Sequence, residues 1–467
     1  MSETAAQTTN TPYEFVGGYP TEETIQRAHD EADFNRAVQA YRYFYPSVSM
    51  VAVWKADLRA GAEANRVFAL LEGTPKQYVF TPNSDTPYSG LLLDLSDGPM
   101  VMELPPGPLM STVNDLNQRW ILDAGLPGPD KGAGGRHLVL PPGFDGDVPD
   151  GYNVGRATTN RVMVLLRALP IENDDAGAVA LMQSVKVSRL GDEPTVAEWV
   201  DLTALEDEDF TPVPWEDNLE YWNVLAEFIR SEPPFAEYRA QYGELAELGI
   251  RRDRPFEPDE RMRGILERAA VAGHAQLAVQ SFADRRPERV VWPDTKWEWA
   301  VLRPENGTFD TADYADSYAR QKWFYQAQIE SPAMFARSQG AGSLYWLGMR
   351  DASGAYLDGG KTYVLDVPQP VPAKLFWSIT VYDARTRSEI RTEQNLAALR
   401  SQVELRDLPD GDAVRLLFGP AAPEADDAKR WIQTLPDVGW FAYFRIYGPD
   451  SAAFDGSWQL PDFDRTS

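Results

Sequence analysis

The stretch Pro372–Arg387, PAKLFWSITVYDARTR, decides the fold. Phe376, Ser378, Thr380 and Tyr382 alternate with Trp377, Ile379 and Val381. A period of two built from aromatic and β-branched residues marks a strand packed on both faces. A partner lies downstream in Trp431–Pro449, WIQTLPDVGWFAYFRIYGP, where Trp440, Ala442, Phe444 and Ile446 oppose Phe441, Tyr443, Arg445 and Tyr447. The spacing predicts two core strands of a C-terminal sheet, with Pro372–Arg387 central and not at an edge.

The same pattern begins near residue 341, in SLYWLGMRD, KTYVLDVP and AVRLLFGP. Between about 171 and 340 the period changes to helical, most clearly over Pro258–Asp284, with further helices expected at Asn218–Arg230 and Thr311–Arg337. The acidic, proline-broken stretch LEDEDFTPVPWEDN (205–218) reads as a loop. A second β-rich block precedes these helices. In TPNSDTPYSGLLLDLSDGPMVMELPPG, strands are expected at Tyr88–Leu95 and Met100–Leu104, and the Asp97-Gly98 pair between them signals a hairpin. STVNDLNQ, HLVLPPG and NRVMVLLRALP continue the block. Upstream, a helix is expected from the Thr21 cap until Pro46 stops it, and a second at Ala62–Leu71 before Gly73. Residues 1–20 read as a disordered polar tail.

Two groups of these segments carry a family resemblance. Asn-Ser-Asp-Thr-Pro-Tyr (83–88), LDLSDGP (93–99) and LPPG (104–107) resemble domain of unknown function 1254, over roughly residues 40–170. LDGGKTYVLDVP (357–368), VPAKLFWSITVYDARTRSEI (371–390), WFAYFRIYGP (440–449) and WQLPDF (458–463) resemble domain of unknown function 1214. The chain thus looks like a bacterial two-domain family, and the resemblance implies a mixed, β-rich fold. It would hold a tail at 1–20, helices and an Ig-like β-sandwich at 21–170, a mainly helical segment at 171–340, and a jelly-roll-like sandwich at 341–467. The resemblance implies no reaction.

Composition narrows the function. At 467 residues the chain is expected to divide into two or three domains. Its 44 basic and 71 acidic residues give a net charge of −27, which repels phosphate backbones and anionic lipid, so nucleic-acid and membrane partners are not expected. There is no cysteine, which removes disulfides, thiolate metal sites and cysteine nucleophiles. The N-terminus lacks the features of a secretory signal, so the chain reads as cytoplasmic, or as periplasmic or secreted if a signal has been removed.

Familiar motifs fail on spacing. GAYLDGGKT (Gly354–Thr362) has five residues where a phosphate-binding loop needs four, and it leads into a strand instead of a helix. KGAGGRH (Lys131–His137) lacks the third glycine of a dinucleotide fingerprint. The histidines His29, His137 and His274 form no H-x-x-x-H pair, and DGDVPDG (Asp145–Gly151) lacks the bidentate Glu of a calcium loop, so no metal or cofactor is expected.

A polar constellation remains. Asn83, Asp85 and Tyr88 lie in a loop stiffened by Pro82 and Pro87, Asp115 sits on the next β segment, and His137 adjoins a Gly-rich loop. Tyr382 leaves the strand quoted first, and Arg445 and Tyr447 share one face of the last major strand. One reading is structural, with Asp85 capping a turn and Arg445 paired with an acid such as Asp383. The other is an inter-domain pocket with Asp85, Tyr88, Tyr382 and Arg445 as catalytic groups and Asn83, Asp115, His137 and Tyr447 binding substrate. The function expected is then a metal-independent enzyme that hydrolyses a small, partly apolar organic molecule or eliminates a group from it. The alternatives are a carbohydrate- or small-ligand-binding protein without turnover, and an oligomeric scaffold whose aromatics bury at subunit contacts. A homo-oligomer is compatible with each.

Overall fold

Strand Ala373–Asp383 pairs antiparallel with Trp440–Pro449 on one side and with Ala398–Arg400 on the other. It is therefore an interior strand of a five-stranded sheet that also takes in Ser343–Gly348 and Glu298–Trp299. Trp377, Ile379, Val381, Phe444 and Ile446 face Leu365, Val367, Leu416 and Phe418 of a four-stranded sheet, and one apolar core fills the space between. The computed structural model describes residues 13–71, 73–171, 174–203, 205, 215–305, 307–340, 342–407 and 411–466.

The N-terminal half repeats this plan. A six-stranded sheet built around Tyr88–Asp94, Leu109–Asp115 and Arg161–Ala168 shares a core with a five-stranded sheet built around Met100–Leu104 and Gly135–Leu140. Both halves mix parallel with antiparallel pairs, and among the described residues no sheet closes on itself. Strands Lys186–Arg189 and Glu198–Asp201, from beyond residue 170, complete the N-terminal sheets. Helices Glu22–Arg59, Glu220–Ser231, Arg239–Glu247 and Glu260–Phe282 build a separate core that laps onto the six-stranded sheet through Ala69 and Leu92.

Several local expectations are corrected. Pro46 does not stop the first helix, which runs Glu22–Arg59. An interior proline costs about 3 kcal/mol, but every residue from Phe44 to Trp54 is buried, and that burial outweighs it. The helix expected at Ala62–Leu71 is instead a turn and a strand, Val67–Leu71, paired on both sides. Asp97-Gly98 does not close a hairpin. Tyr88–Asp94 and Met100–Leu104 lie in opposite sheets, because Leu91, Leu93, Met100 and Met102 all point into one core.

The expected helix Thr311–Arg337 is two short ones, Ser317–Phe324 and Pro332–Phe335. The Trp323 indole N–H donates to the Ile329 carbonyl at 2.8 Å and folds the chain back between them. Within the expected tail, Phe15–Val16 and Tyr19–Pro20 pair as a short hairpin, while residues 1–12 lie outside the described residues. Most of the expected loop 205–218 does so too.

The halves meet at a buried ionic seam. Arg387, fully buried, donates to Glu216, to the Tyr45 hydroxyl at 3.1 Å and to the Tyr325 carbonyl at 3.2 Å. Its guanidinium lies 4.6 Å from the Phe80 ring centre and 4.3 Å from that of Tyr325. Glu216→Ala leaves this charge buried and unpaired, and is expected to cost about 3–5 kcal/mol in urea unfolding. Ile379→Ala empties a fully buried site and should cost about 2–5 kcal/mol in the same assay. A loss below 1 kcal/mol at Ile379 would mean that the strand does not sit in a core.

Candidate functional site

Each of the two large sheets buries one face in its own core, and their other faces turn toward each other. On the N-terminal sheet, the register aligns Ala69, Gly90, Leu165, Thr112 and Asp123 in one row, and Leu71, Tyr88, Arg167 and Met110 in the next. On the C-terminal sheet, Ser343, Tyr345, Tyr443, Arg445 and Tyr447 occupy the opposing face. A cavity of about 580 Å³ lies between these faces, closed along one side by the chain from Ala327 to Ser338. That volume suits a small organic ligand.

Arg445 is buried on the C-terminal wall. Its two terminal nitrogens donate to Thr380 Oγ1 at 2.8 Å and to the Tyr382 hydroxyl at 2.7 Å, while its Nε has no partner among the described residues. The acid once expected to pair with it, Asp383, is held by Arg385 at 2.8 Å. Tyr382 in turn donates to the Pro82 carbonyl at 2.5 Å, and so stands behind Arg445 instead of in the cavity.

Asp85 also lies just behind the wall. Its Oδ2 accepts from Tyr447 at 2.6 Å and from Ser378 at 3.0 Å, joining the N-terminal loop to the C-terminal sheet. Asn83 lines the cavity, and its Oδ1 accepts from Arg167 Nη2 and from the Asp85 amide, both at 3.1 Å. Tyr88 lines it too, with the Arg167 guanidinium 4.7 Å from its ring centre. Burial raises the Tyr88 hydroxyl pKa against the pull of Arg167 and Arg445, and burial with nearby Asp85 raises that of Tyr447 well above the usual range. Both phenols are donors at neutral pH.

Asp115 and His137 lie elsewhere. Asp115 ties a turn, accepting from the Asn117, Arg119 and Thr158 amides at 3.0, 3.1 and 2.7 Å. His137 is buried against Asn153 at 3.2 Å and Asp130 at 3.8 Å, with its pKa lowered by burial. Neither touches the cavity.

Sequence reasoning passed over three cavity residues. Asp57 belongs to the helical stretch beyond Pro46, and its carboxyl lies above Gly90, where an added Cβ would stand 3.2 Å from Oδ2. No described residue bonds that carboxyl, and burial pushes its pKa up to about 7. Asp123, at the far end of the same row, is raised to about 6, chiefly by burial, and its Oδ1 has no partner among the described residues. Three strand spacings separate Gly90 from Asp123, roughly 14 Å, so the two carboxyls act separately. Arg167 lies on the floor between them. The available signal was a lone charged residue within an apolar run, Asp123 in WILDAG and Arg167 after VMVLL. Among the described residues no cluster of three His, Cys, Asp or Glu is placed to hold a metal, and no helix is long and apolar enough to cross a membrane.

An apolar cavity with two protonatable carboxyls, neutral phenols and fixed guanidiniums can bind a small amphipathic molecule and move protons on it. Residues 66–189 match the family described as Protein of unknown function (DUF1254), and residues 342–451 match Protein of unknown function (DUF1214). Among solved structures, the chain is similar to the VPA0106 protein from Vibrio parahaemolyticus, at 17% identity and a TM-score of 0.57, over 93% of this chain and 100% of that one. It is also similar to an uncharacterized protein from Burkholderia cenocepacia, at 12% identity and a TM-score of 0.42, over 94% of this chain and 96% of that one. No curated protein matches the chain. The Vibrio likeness is one of fold alone.

The raised pKa of Asp57 sets a pH dependence. The folded state holds a proton between about pH 4 and 7 that the unfolded chain releases, so this contribution to stability is whole at low pH and lost as pH rises to about 7. Asp57→Asn should therefore stabilise the protein by about 1–4 kcal/mol at pH 8 and by clearly less at pH 5, read by urea unfolding. An equal effect at both values would place the pKa in the ordinary carboxylate range.

Proposed function

We propose that this chain, which belongs to the two-domain family joining the DUF1254 and DUF1214 halves, is an enzyme acting on a small, partly apolar organic molecule by hydrolysis or elimination. The observation that carries the reading is the pair of carboxyls at the cavity, Asp57 and Asp123, raised to about 7 and 6. A group poised near neutrality passes protons in both directions at working pH. In hydrolysis, Asp57 or Asp123 takes the proton of the attacking water, and the leaving group takes one from Tyr88, since the Tyr447 proton is held by Asp85. In elimination, the same carboxyl removes a proton beside the departing group. Arg445 faces developing negative charge, and Asp85 is a positioning residue that acts through Tyr447.

We also read the N-terminal sheet pair as an Ig-like sandwich and the C-terminal pair as jelly-roll-like. Support comes from two sheets around one core in each half. A second functional reading, ligand binding without turnover, is favoured by the mostly apolar floor of Leu71, Met110, Met163 and Leu165.

The test is a panel of p-nitrophenyl esters and of organic acids with a leaving group at the β-carbon. Asp57→Asn and Tyr88→Phe are each expected to cut turnover at least tenfold, about 1.4 kcal/mol in the barrier, while both variants stay folded. Turnover unchanged in both would put the chemistry elsewhere. No turnover of any compound, with binding retained, would favour the second reading.

A further inference from the structure

Two of the cavity's charges have no acid in direct contact, although both stand near Asp85. Arg167 and Arg445 face the cavity from opposite walls, and among the described residues neither has a carboxylate oxygen within 4.0 Å. Elsewhere in this acidic chain, arginines such as Arg161, Arg303 and Arg415 are paired with acids at 2.5–2.8 Å. Arginine cannot shed its proton, and a buried guanidinium without an anionic partner is costly. The neighbouring acids reach the pair only indirectly. Asp85 spends its Oδ2 on Tyr447 and Ser378, and Glu389 lies behind the loop, bonded to Ser84 at 2.9 Å and pushed up to about 7 by burial.

Each guanidinium has donors to spare. Arg167 uses Nε on Thr86 at 2.7 Å and Nη2 on Asn83 at 3.1 Å, and Arg445 uses only its two terminal nitrogens, out of five N–H donors on each. The bonds they do make fix their planes, so that the remaining donors are pre-aimed. Tyr88, protonated and beside them, adds one hydroxyl, while that of Tyr447 is already donated to Asp85. Beyond this polar end the floor is Met110, Met163 and Leu165.

We propose that the cavity takes a monocarboxylate with an apolar body, its carboxylate held between Arg167 and Arg445 and its body lying on the methionine and leucine floor toward Asp57 and Asp123. This deepens the enzyme reading above and rests on the same cavity. One further negative charge fits two arginines that already stand near Asp85, whereas a dianion would add more charge than they leave uncompensated. The carboxylate anchors the molecule, and the carbon chain runs past the proton-transfer groups.

Calorimetric titration tests the assignment with octanoate, its neutral counterpart octanamide, and octyl phosphate. Octanoate is expected to bind at least tenfold more tightly than octanamide, and more tightly than octyl phosphate. Arg167→Gln should reduce the preference over the amide to threefold or less, as should Arg445→Gln. If Arg445→Gln fails to fold, Arg167→Gln, on the cavity floor, decides alone. Leu165→Trp, which fills the cavity, should abolish binding of all three.

Octanoate and octanamide binding equally, both lost in Leu165→Trp, would overturn the carboxylate assignment and leave the cavity as the site. Tighter binding of octyl phosphate would overturn it in favour of a phosphorylated ligand. Octanoate binding that survives Leu165→Trp would overturn both the assignment and the cavity reading. No binding of octanoate at millimolar concentration would also sink the assignment.

Discussion

Arg387 is the constraint on which the arrangement of the two halves depends. Its fully buried guanidinium gathers the first helix through Tyr45, the chain at Glu216, the short helical segment through Tyr325, and its own C-terminal loop through Arg385. A buried ion pair contributes little net stability against a well-packed apolar substitute, but its loss strands a charge in low dielectric. Its backbone also holds the N-terminal loop, since the Arg387 carbonyl accepts from the Thr81 amide at 2.7 Å. Both residues have positive φ, +56° and +37°, in a region β-branched and bulky side chains rarely occupy. Strain at this contact is kept because both halves over-determine it.

What the seam secures is a separation. Two sheets that met directly would interdigitate their side chains and leave no room. Here the loop from Val79 to Asp85 stands between them, bonded to the C-terminal half through Ser388, Glu389, Ser378 and Tyr447. The sheet faces are consequently held apart over part of their area, and the gap is the cavity. Its polarity follows from the same geometry. Each strand gives its apolar alternate residues to its own core, so the residues left for the cavity are those that alternate with them, among them Tyr88, Arg167, Arg445 and Tyr447. Groups forced into such a site are desolvated together, which is why the carboxyl pKa values rise and the phenols stay protonated.

Parts of the site were legible because short-range patterns set them. The prolines around Asn83, Asp85 and Tyr88 announced a stiff loop, and the strand Trp440–Pro449 showed that Arg445 and Tyr447 share a face. A strand's two faces alternate whatever it packs against. Asp57 was hidden because an interior proline normally ends a helix, and only the enclosing core overrides that. Arg167 and Asp123 were hidden for a different reason. Each is one charge at a strand's end, and on an outward face such a residue would mean nothing beyond solubility. Asp115 and His137 show the converse, since conspicuous residue types in β segments proved to be a turn peg and a buried strand residue.

The sequence by itself determined that two β-rich halves flank a region rich in helices, which strands form most of the sheets, and which residues share a strand face. Those properties depend on local backbone sterics and on apolar periodicity, both written in neighbouring residues. Only the tertiary structure decided that Asp97-Gly98 joins two sheets instead of closing a hairpin, that the first helix passes through Pro46, and that the polar faces of two distant sheets confront each other across a gap. Those outcomes depend on which surfaces are buried against which, over separations such as that between Asp85 and Tyr447. Such contacts form between residues far apart in the chain, and no local period encodes them.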